Sequence, residues 1–188
     1  METRIALGLA TTGTIKTKTV FSILRMMKRS KLDWDIITKE SSILHYNREH
    51  ICQQAIEGGA SHVLFIDSDM QFEWDAAEKL LKHNKDIIGV PYNMRELPLK
   101  TTMKIHAEDG IIQEAHGDLM KIAAVATGFM LIKTSVFPKL TKPWFFWEFD
   151  GEVRMGEDVF FCRNARNAGF EIWADLSQKV GHIGDYIF

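Results

Sequence analysis

The chain has 188 residues, a length that suits one domain. Apolar residues make up 46% and charged residues 26%, the balance of a globular protein with a real core. A formal net charge of −2 and the lack of a sustained Lys/Arg run give no reason to expect a nucleic-acid partner.

No apolar run approaches the ~20 residues of a membrane span. Met1-Glu2-Thr3-Arg4 leads straight into a strand-like run without a signal-peptide layout. Cys52 and Cys162 each sit in a helical pattern beside apolar neighbours, which reads as two reduced core thiols in a cytoplasmic protein.

Ile5 to Ala10 is a first buried strand, closed by the turn Thr11-Thr12-Gly13. Thr17 to Lys28 carries apolar residues at Val20, Ile23, Leu24 and Met27, a helical stripe. Strand, small polar turn and helix suit a nucleotide, because helix N-terminal amides favour anions. The glycine pattern is neither a Rossmann fingerprint nor a P-loop. Trp34 to Thr38 reads as a second strand. Ser42 then caps a helix over 43–57 that Gly58-Gly59 ends. Asn47 and Arg48 occupy polar positions mid-helix, where a solvated face is the default and a role facing the sheet's carboxyl edge is the alternative.

Val63-Leu64-Phe65-Ile66 has the look of a strand buried on both faces, followed at its carboxyl end by Asp67-Ser68-Asp69. Open α/β sheets bind ligands at that edge. Two carboxylates that close repel unless a hard, oxygen-preferring cation sits between them, so the spacing points to a divalent metal. The alternative is that both aspartates cap the next helix. That helix is expected over 73–82, with Glu73 and Asp75 in its first turn and Lys79 and Lys82 near its end, as the dipole prefers. Asp86 to Val90 is a fourth strand, stopped by Pro91. The run of strands and helices implies a parallel sheet with right-handed crossovers.

The second half changes character. Lys100–His106, a turn at Glu108-Asp109-Gly110 and Ile111–Glu114 suggest a hairpin. Leu119–Thr127 and Phe129–Lys133 are strands on either side of Gly128, and a short helix covers Ser135–Leu140. Five aromatics fall within Pro143–Phe149. Gly156-Glu157-Asp158 opens a helix that Gly169 stops, Glu171–Ala174 is a last strand, and His182 sits in the closing segment. No repeat or linker divides the chain. The fold class is therefore α/β, a single domain whose parallel sheet continues into a mixed sheet with helices on both faces.

Asp67-Ser68-Asp69 after a buried strand, Thr127-Gly128-Phe129-Met130-Leu131-Ile132, Gly156-Glu157-Asp158 and His182 stand in an order that resembles the nucleotide-sugar-dependent glycosyltransferases of the GT-A (Rossmann-like) fold, over nearly the whole length. The resemblance implies a nucleotide-sugar-binding half over 1–95 and an acceptor and catalytic half over 96–188. It also implies transfer of a sugar from a nucleoside diphosphate sugar, a UDP-sugar by family habit, to an acceptor hydroxyl of a saccharide, protein or modified nucleotide. Asp69 would be the main ligand of Mn²⁺ or Mg²⁺, with Asp67 bound through water or to donor hydroxyls and His182 completing the set. Ala10, Thr11, Thr12 and Ser68 would hold the donor, with Arg48 helping to position the donor or the first aspartate. Asp158, with Glu157 as competitor, would be the base, and Trp144, Trp147 and Gly128 would face the acceptor. The chain is shorter than many such enzymes. Three other readings compete: a nucleotide-sugar-binding module without transferase activity; a nucleic-acid enzyme of topoisomerase-primase type, against which the mild acidity argues; and a haloacid-dehalogenase-like phosphatase or phosphotransferase. The last expects Thr or Val where Gln71 stands.

Overall fold

The structure is a computed structural model and describes residues 3–107, 110–149, 151 and 154–184. In chain order the elements are β1 (Arg4–Thr11), α1 (Thr17–Arg29), β2 (Asp33–Glu40), α2 (Leu44–Glu57), β3 (His62–Ile66) and β4 (Met70–Gln71). There follow α3 (Ala76–Lys82), β5 (Ile87–Gly89), β6 (His106–Ala107), β7 (Gly110–Ile111), β8 (Gln113–His116) and β9 (Leu119–Ile122). Next come β10 (Phe129–Lys133), a 3₁₀ helix (Thr134–Lys139), β11 (Glu148–Phe149), β12 (Arg154–Met155), α4 (Glu157–Asn167), β13 (Ile172–Asp175) and β14 (Gly181–His182).

Eight strands form the main sheet in the order β2-β1-β3-β10-β5-β13-β9-β8. The strands β1, β2, β3 and β5 do run in one direction, as the alternation with helices predicts. They are not contiguous, however: β10 enters antiparallel between β3 and β5, pairing Phe129 with Ile66 and Met130 with Gly89. The mixed character thus reaches the centre of the sheet.

Period-2 alternation sorts the strand side chains onto two faces. Ala6, Val63, Phe65, Met130 and Ile132 pack with Ile51 and Ala55 of α2 and Phe161 and Ala165 of α4. Ile5, Leu7, Leu64, Ile66 and Leu131 pack with Ile23 and Met26 of α1 and Leu80 of α3. Each fully buried Leu, Ile or Phe contributes roughly 1.5–3 kcal/mol relative to exposure, so the two layers fix the helices firmly.

Several boundaries differ from the sequence expectation. α2 starts at Leu44, and Ser41, not Ser42, serves its approach: Ser41 Oγ accepts the Ile43 N–H at 3.2 Å and donates to Asn47 Oδ1 at 2.6 Å. α3 begins only at Ala76, so Glu73 and Asp75 precede it. β9 stops at Ile122, after which Ala123 to Ala126 run buried, with a single antiparallel bridge between Ala124 and Lys104 in place of a continued strand. The helix expected at 135–140 is 3₁₀ and contains Pro138, which has no N–H to extend an α-helical ladder. Part of the turn expected at 108–110 lies outside the described residues.

Candidate active site

The ends of β1 and β3 and the start of β10 meet at one edge of the sheet. The Asp67 N–H donates to the Gly128 carbonyl at 3.0 Å, joining the segment after β3 to the one before β10. Gly128 is required there by a close approach: a Cβ would lie 2.2 Å from the Tyr92 hydroxyl and 2.5 Å from Met70 Cε. The Ser68 carbonyl accepts the Lys16 N–H at 2.8 Å and the Thr19 hydroxyl at 3.2 Å, which fastens the motif to the start of α1.

Arg48 overturns the expectation of a solvated helix face. Its side chain is 1% exposed, and Nη2 lies 2.9 Å from Asp67 Oδ1 while Nε lies 3.4 Å from Glu157 Oε1. The guanidinium sits 5.2 Å over the Phe65 ring. Burial works against its charge, but Asp67 and Glu157 outweigh that and hold its pKa above the ordinary value. Its Nη1 is buried with no hydrogen-bond partner among the described residues, an open donor at the site. Asn47 is buried as well, and donates from Nδ2 to the carbonyls of Thr11 and Ser41 at 3.3 and 3.0 Å, tying α2 to the turn after β1.

Asp69 takes a different arginine. Its Oδ2 lies 3.0 Å from Arg95 Nη1 and 3.4 Å from His182 Nε2. His182 arrives there because β14 pairs with β4, placing it opposite Met70, and the Ile183 N–H donates to the Asp69 carbonyl at 2.8 Å. His182 Nδ1 lies 3.1 Å from the Asn93 carbonyl, which only accepts, so Nδ1 carries the proton. In neutral imidazole Nε2 then presents a lone pair towards Asp69 Oδ2. Two acceptors facing each other this closely suit a shared proton or a shared cation. A carboxylate beside an imidazole nitrogen whose partner N–H is anchored on a backbone carbonyl is also a fitting donor set for Mn²⁺.

The structure therefore brings together two of the three predicted metal ligands. Asp67 is drawn to Arg48 instead, and among the described residues no group of three His, Cys, Asp or Glu side chains converges on one point. The repulsion between Asp67 and Asp69, read from sequence as a sign of metal, is relieved by one arginine each.

Asp158 and Glu157 open α4. Glu157 is 6% exposed and engaged with Arg48. Asp158 is half-buried, with Oδ1 accepting the Val159 N–H at 2.7 Å. Desolvation, reinforced by the Glu157 charge, raises its pKa above the usual carboxylate value despite that bond. Tyr92 completes the cluster: it is buried, its hydroxyl lies against Gly128, and its ring centroid is 5.1 Å from that of His182.

The remaining predicted positions separate. Ala10 is buried; Thr11 Oγ1 accepts the Gly13 N–H at 3.1 Å and donates to the Thr14 carbonyl at 2.9 Å, and Thr12 is exposed. Gly13 has φ +108, which a side chain would strain. Trp144 must be reassigned from the acceptor face to the core. It is 4% exposed, with its ring centroid 4.9 Å from that of Phe137 and Lys142 Nζ 4.4 Å from its own. Trp147 is 52% exposed and free to meet a ligand. Sequence reasoning missed Tyr92, Asn93 and Arg95; the signal was their place just after β5 and Pro91, at the same carboxyl edge.

No family model matches the chain, and no curated protein matches it in sequence. Solved structures do match. A197 from STIV superposes with a TM-score of 0.67 at 17% identity, over 97% of this chain and 86% of that one. TarS 1-349 from S. aureus follows at 0.55 and 14% identity, over 95% of this chain and 60% of its own. GalNAc-T7, solved with UDP, GalNAc and Mn²⁺, gives 0.54 and 10% identity, over 98% of this chain and 44% of its own. The fold is GT-A-like. This chain spans less than two thirds of the latter two proteins, so the likeness covers only part of their length.

Proposed function

We propose that this protein is a metal-dependent glycosyltransferase of hexosyltransferase type, moving a sugar from a nucleoside diphosphate sugar, a UDP-sugar first of all, to an acceptor hydroxyl. The observation that carries the reading is the Asp69–His182 pair at the sheet edge, with His182 Nδ1 anchored on Asn93 and Nε2 turned to the carboxylate. The GT-A-like fold, shared with a protein solved with UDP and Mn²⁺, supports the same reading.

Asp69 and His182 are the residues that would hold Mn²⁺ or Mg²⁺. When bound, that ion supplies Lewis acidity at the diphosphate as the glycosidic bond breaks. Arg48 orients Asp67 through Oδ1, so that its second oxygen is available to donor hydroxyls. The turn Ala10-Thr11-Thr12 and Ser68 border the nucleoside end. Asp158 takes the proton of the acceptor hydroxyl; its raised pKa keeps it a stronger base than an exposed aspartate. Glu157 is the counter-ion of Arg48 rather than the base. Trp147 offers an aromatic face to the acceptor, and Gly128 lets the chain pass close beneath it. The buried free thiols accord with a cytoplasmic setting.

Calorimetric titration with UDP is the test. Binding should be at least tenfold tighter with Mn²⁺ than with EDTA, and Asp69→Ala should erase the difference in a folded protein. Equal binding in both conditions would overturn metal dependence. Release of free sugar from a UDP-sugar separates an enzyme from a binding module.

A further inference from the structure

The helix α1 carries Lys18, Arg25, Lys28 and Arg29 and no acidic residue, in a chain whose net charge is −2. Its inner face is spent on the core through Thr19, Ser22, Ile23 and Met26. The outward face is unusual for one turned to water. Phe21 and Leu24 are each 55% exposed, and with Lys28 they form one stripe at i, i+3 and i+7. Arg25 and Arg29 form the adjoining stripe. Beside them opens a cavity of about 320 Å³ lined by Arg25, Arg29, Lys179, Trp74 and Glu73, among others. Arg29 lies 5.5 Å over the Trp74 ring. Among the described residues, no carboxylate forms an ion pair with Lys18, Arg25, Lys28, Arg29 or Lys179.

We propose that this face docks the protein on an anionic lipid bilayer, with Phe21 and Leu24 entering the interface and the Arg25, Arg29 and Lys179 cluster meeting lipid phosphates. Two arguments select a bilayer. Unpaired cations flanking exposed Phe and Leu match a surface that is negative outside and apolar beneath. A soluble polyanion would answer the cations but leave Phe21 and Leu24 in water. Among the described residues no helix is long and apolar enough to cross a membrane, so attachment would be peripheral. Position gives the docking a purpose: the cavity beside Arg25 and Arg29 is also lined by Gln71 of β4 and Gly181 of β14, the pair next to Met70 and His182.

The test is co-sedimentation of the full-length protein with phosphatidylcholine vesicles containing a quarter phosphatidylglycerol, beside vesicles of phosphatidylcholine alone. It uses neither nucleotide nor metal and so stands apart from the transferase reading. The protein should sediment with the anionic vesicles and be largely released by 0.5 M NaCl. Each basic residue near such a surface contributes about fivefold to partitioning, so Arg25→Gln/Arg29→Gln/Lys179→Gln should weaken it about a hundredfold. Phe21→Ser/Leu24→Ser should weaken it with the charge unchanged. All five side chains are exposed, and circular dichroism checks that both variants fold. No sedimentation with anionic vesicles, or equal sedimentation with both kinds, overturns the proposal. Binding that heparin abolishes and that Phe21→Ser/Leu24→Ser leaves intact assigns the face to a polyanion instead, and also overturns it.

Discussion

Arg48 Nη2 lies 2.9 Å from Asp67 Oδ1 although the arginine side chain is sealed from solvent. One buried cation thereby serves two acids, since Glu157 lies on its other side at 3.4 Å. Removing one partner of a buried pair leaves an uncompensated charge and typically costs 3–5 kcal/mol. Asp67 is 28% exposed and can recover water, whereas Glu157 cannot. Arg48→Met should therefore lower stability by about 3 kcal/mol in urea denaturation, and Arg48→Met/Glu157→Gln should restore part of it. A loss below about 1 kcal/mol would mean that the pair contributes little to the fold.

Asp158 should reveal itself through stability as well as rate. Its folded pKa is raised, so the folded state binds a proton more readily than the unfolded chain, and its ionisation opposes folding at neutral pH. The favourable protonated contribution is complete below the unfolded value of about 3.9 and is lost as pH rises through the folded value. Asp158→Asn should thus be at least as stable as wild type at pH 7, with its advantage vanishing in acid. Sugar transfer should disappear in the same variant while UDP binding persists. A destabilised Asp158→Asn at pH 7 would assign the carboxylate a structural role.

Gly128→Ala tests the close approach at the sheet edge. The added methyl meets the Tyr92 hydroxyl and Met70 Cε well inside contact distance, and both are packed. Overpacking of this kind costs about 1–3 kcal/mol. Because the Gly128 carbonyl holds the Asp67 N–H, UDP affinity should fall too. An unchanged melting temperature would show that Tyr92 moves aside freely.

The two thiols should be silent in the native state. Cys52 and Cys162 are free and fully buried; burial pushes the Cys162 thiol up to about 12 and Cys52 well above its ordinary value. Titration with a thiol-reactive disulfide should find neither under native conditions and both in denaturant. Rapid labelling of either without denaturant would contradict the packing around α2 and α4.

The strands β1, β3 and β10 and the start of α4 were legible because local pattern decides them: continuous apolar runs and a glycine before two acids. The antiparallel entry of β10 was not, since Phe129–Lys133 reads equally well as a parallel strand and its neighbours are fixed only by the assembled sheet. The burial of Arg48 was hidden from its own helix for a related reason. Arginine on a helix usually seeks water, and nothing in residues 43–57 announces that Asp67 and Glu157 wait on the inner side. Trp144 and Trp147 stand three apart in one aromatic run, yet one fills the core and the other faces solvent. The pairing of Asp69 with His182 followed the order of motifs, but Arg95 and Tyr92 came from a loop without a recognisable signature.

The place of β10 has a consequence for how the chain is built. During synthesis β1, α1, β2, α2, β3 and β5 leave the ribosome in turn, yet β3 and β5 have no hydrogen bonds to each other and wait for Phe129–Lys133 to join them. Until then each presents an open edge, the kind of edge that invites pairing with another chain. A cut near residue 95 therefore leaves the first half with its sheet divided, and neither half of the sequence holds a complete sheet of its own.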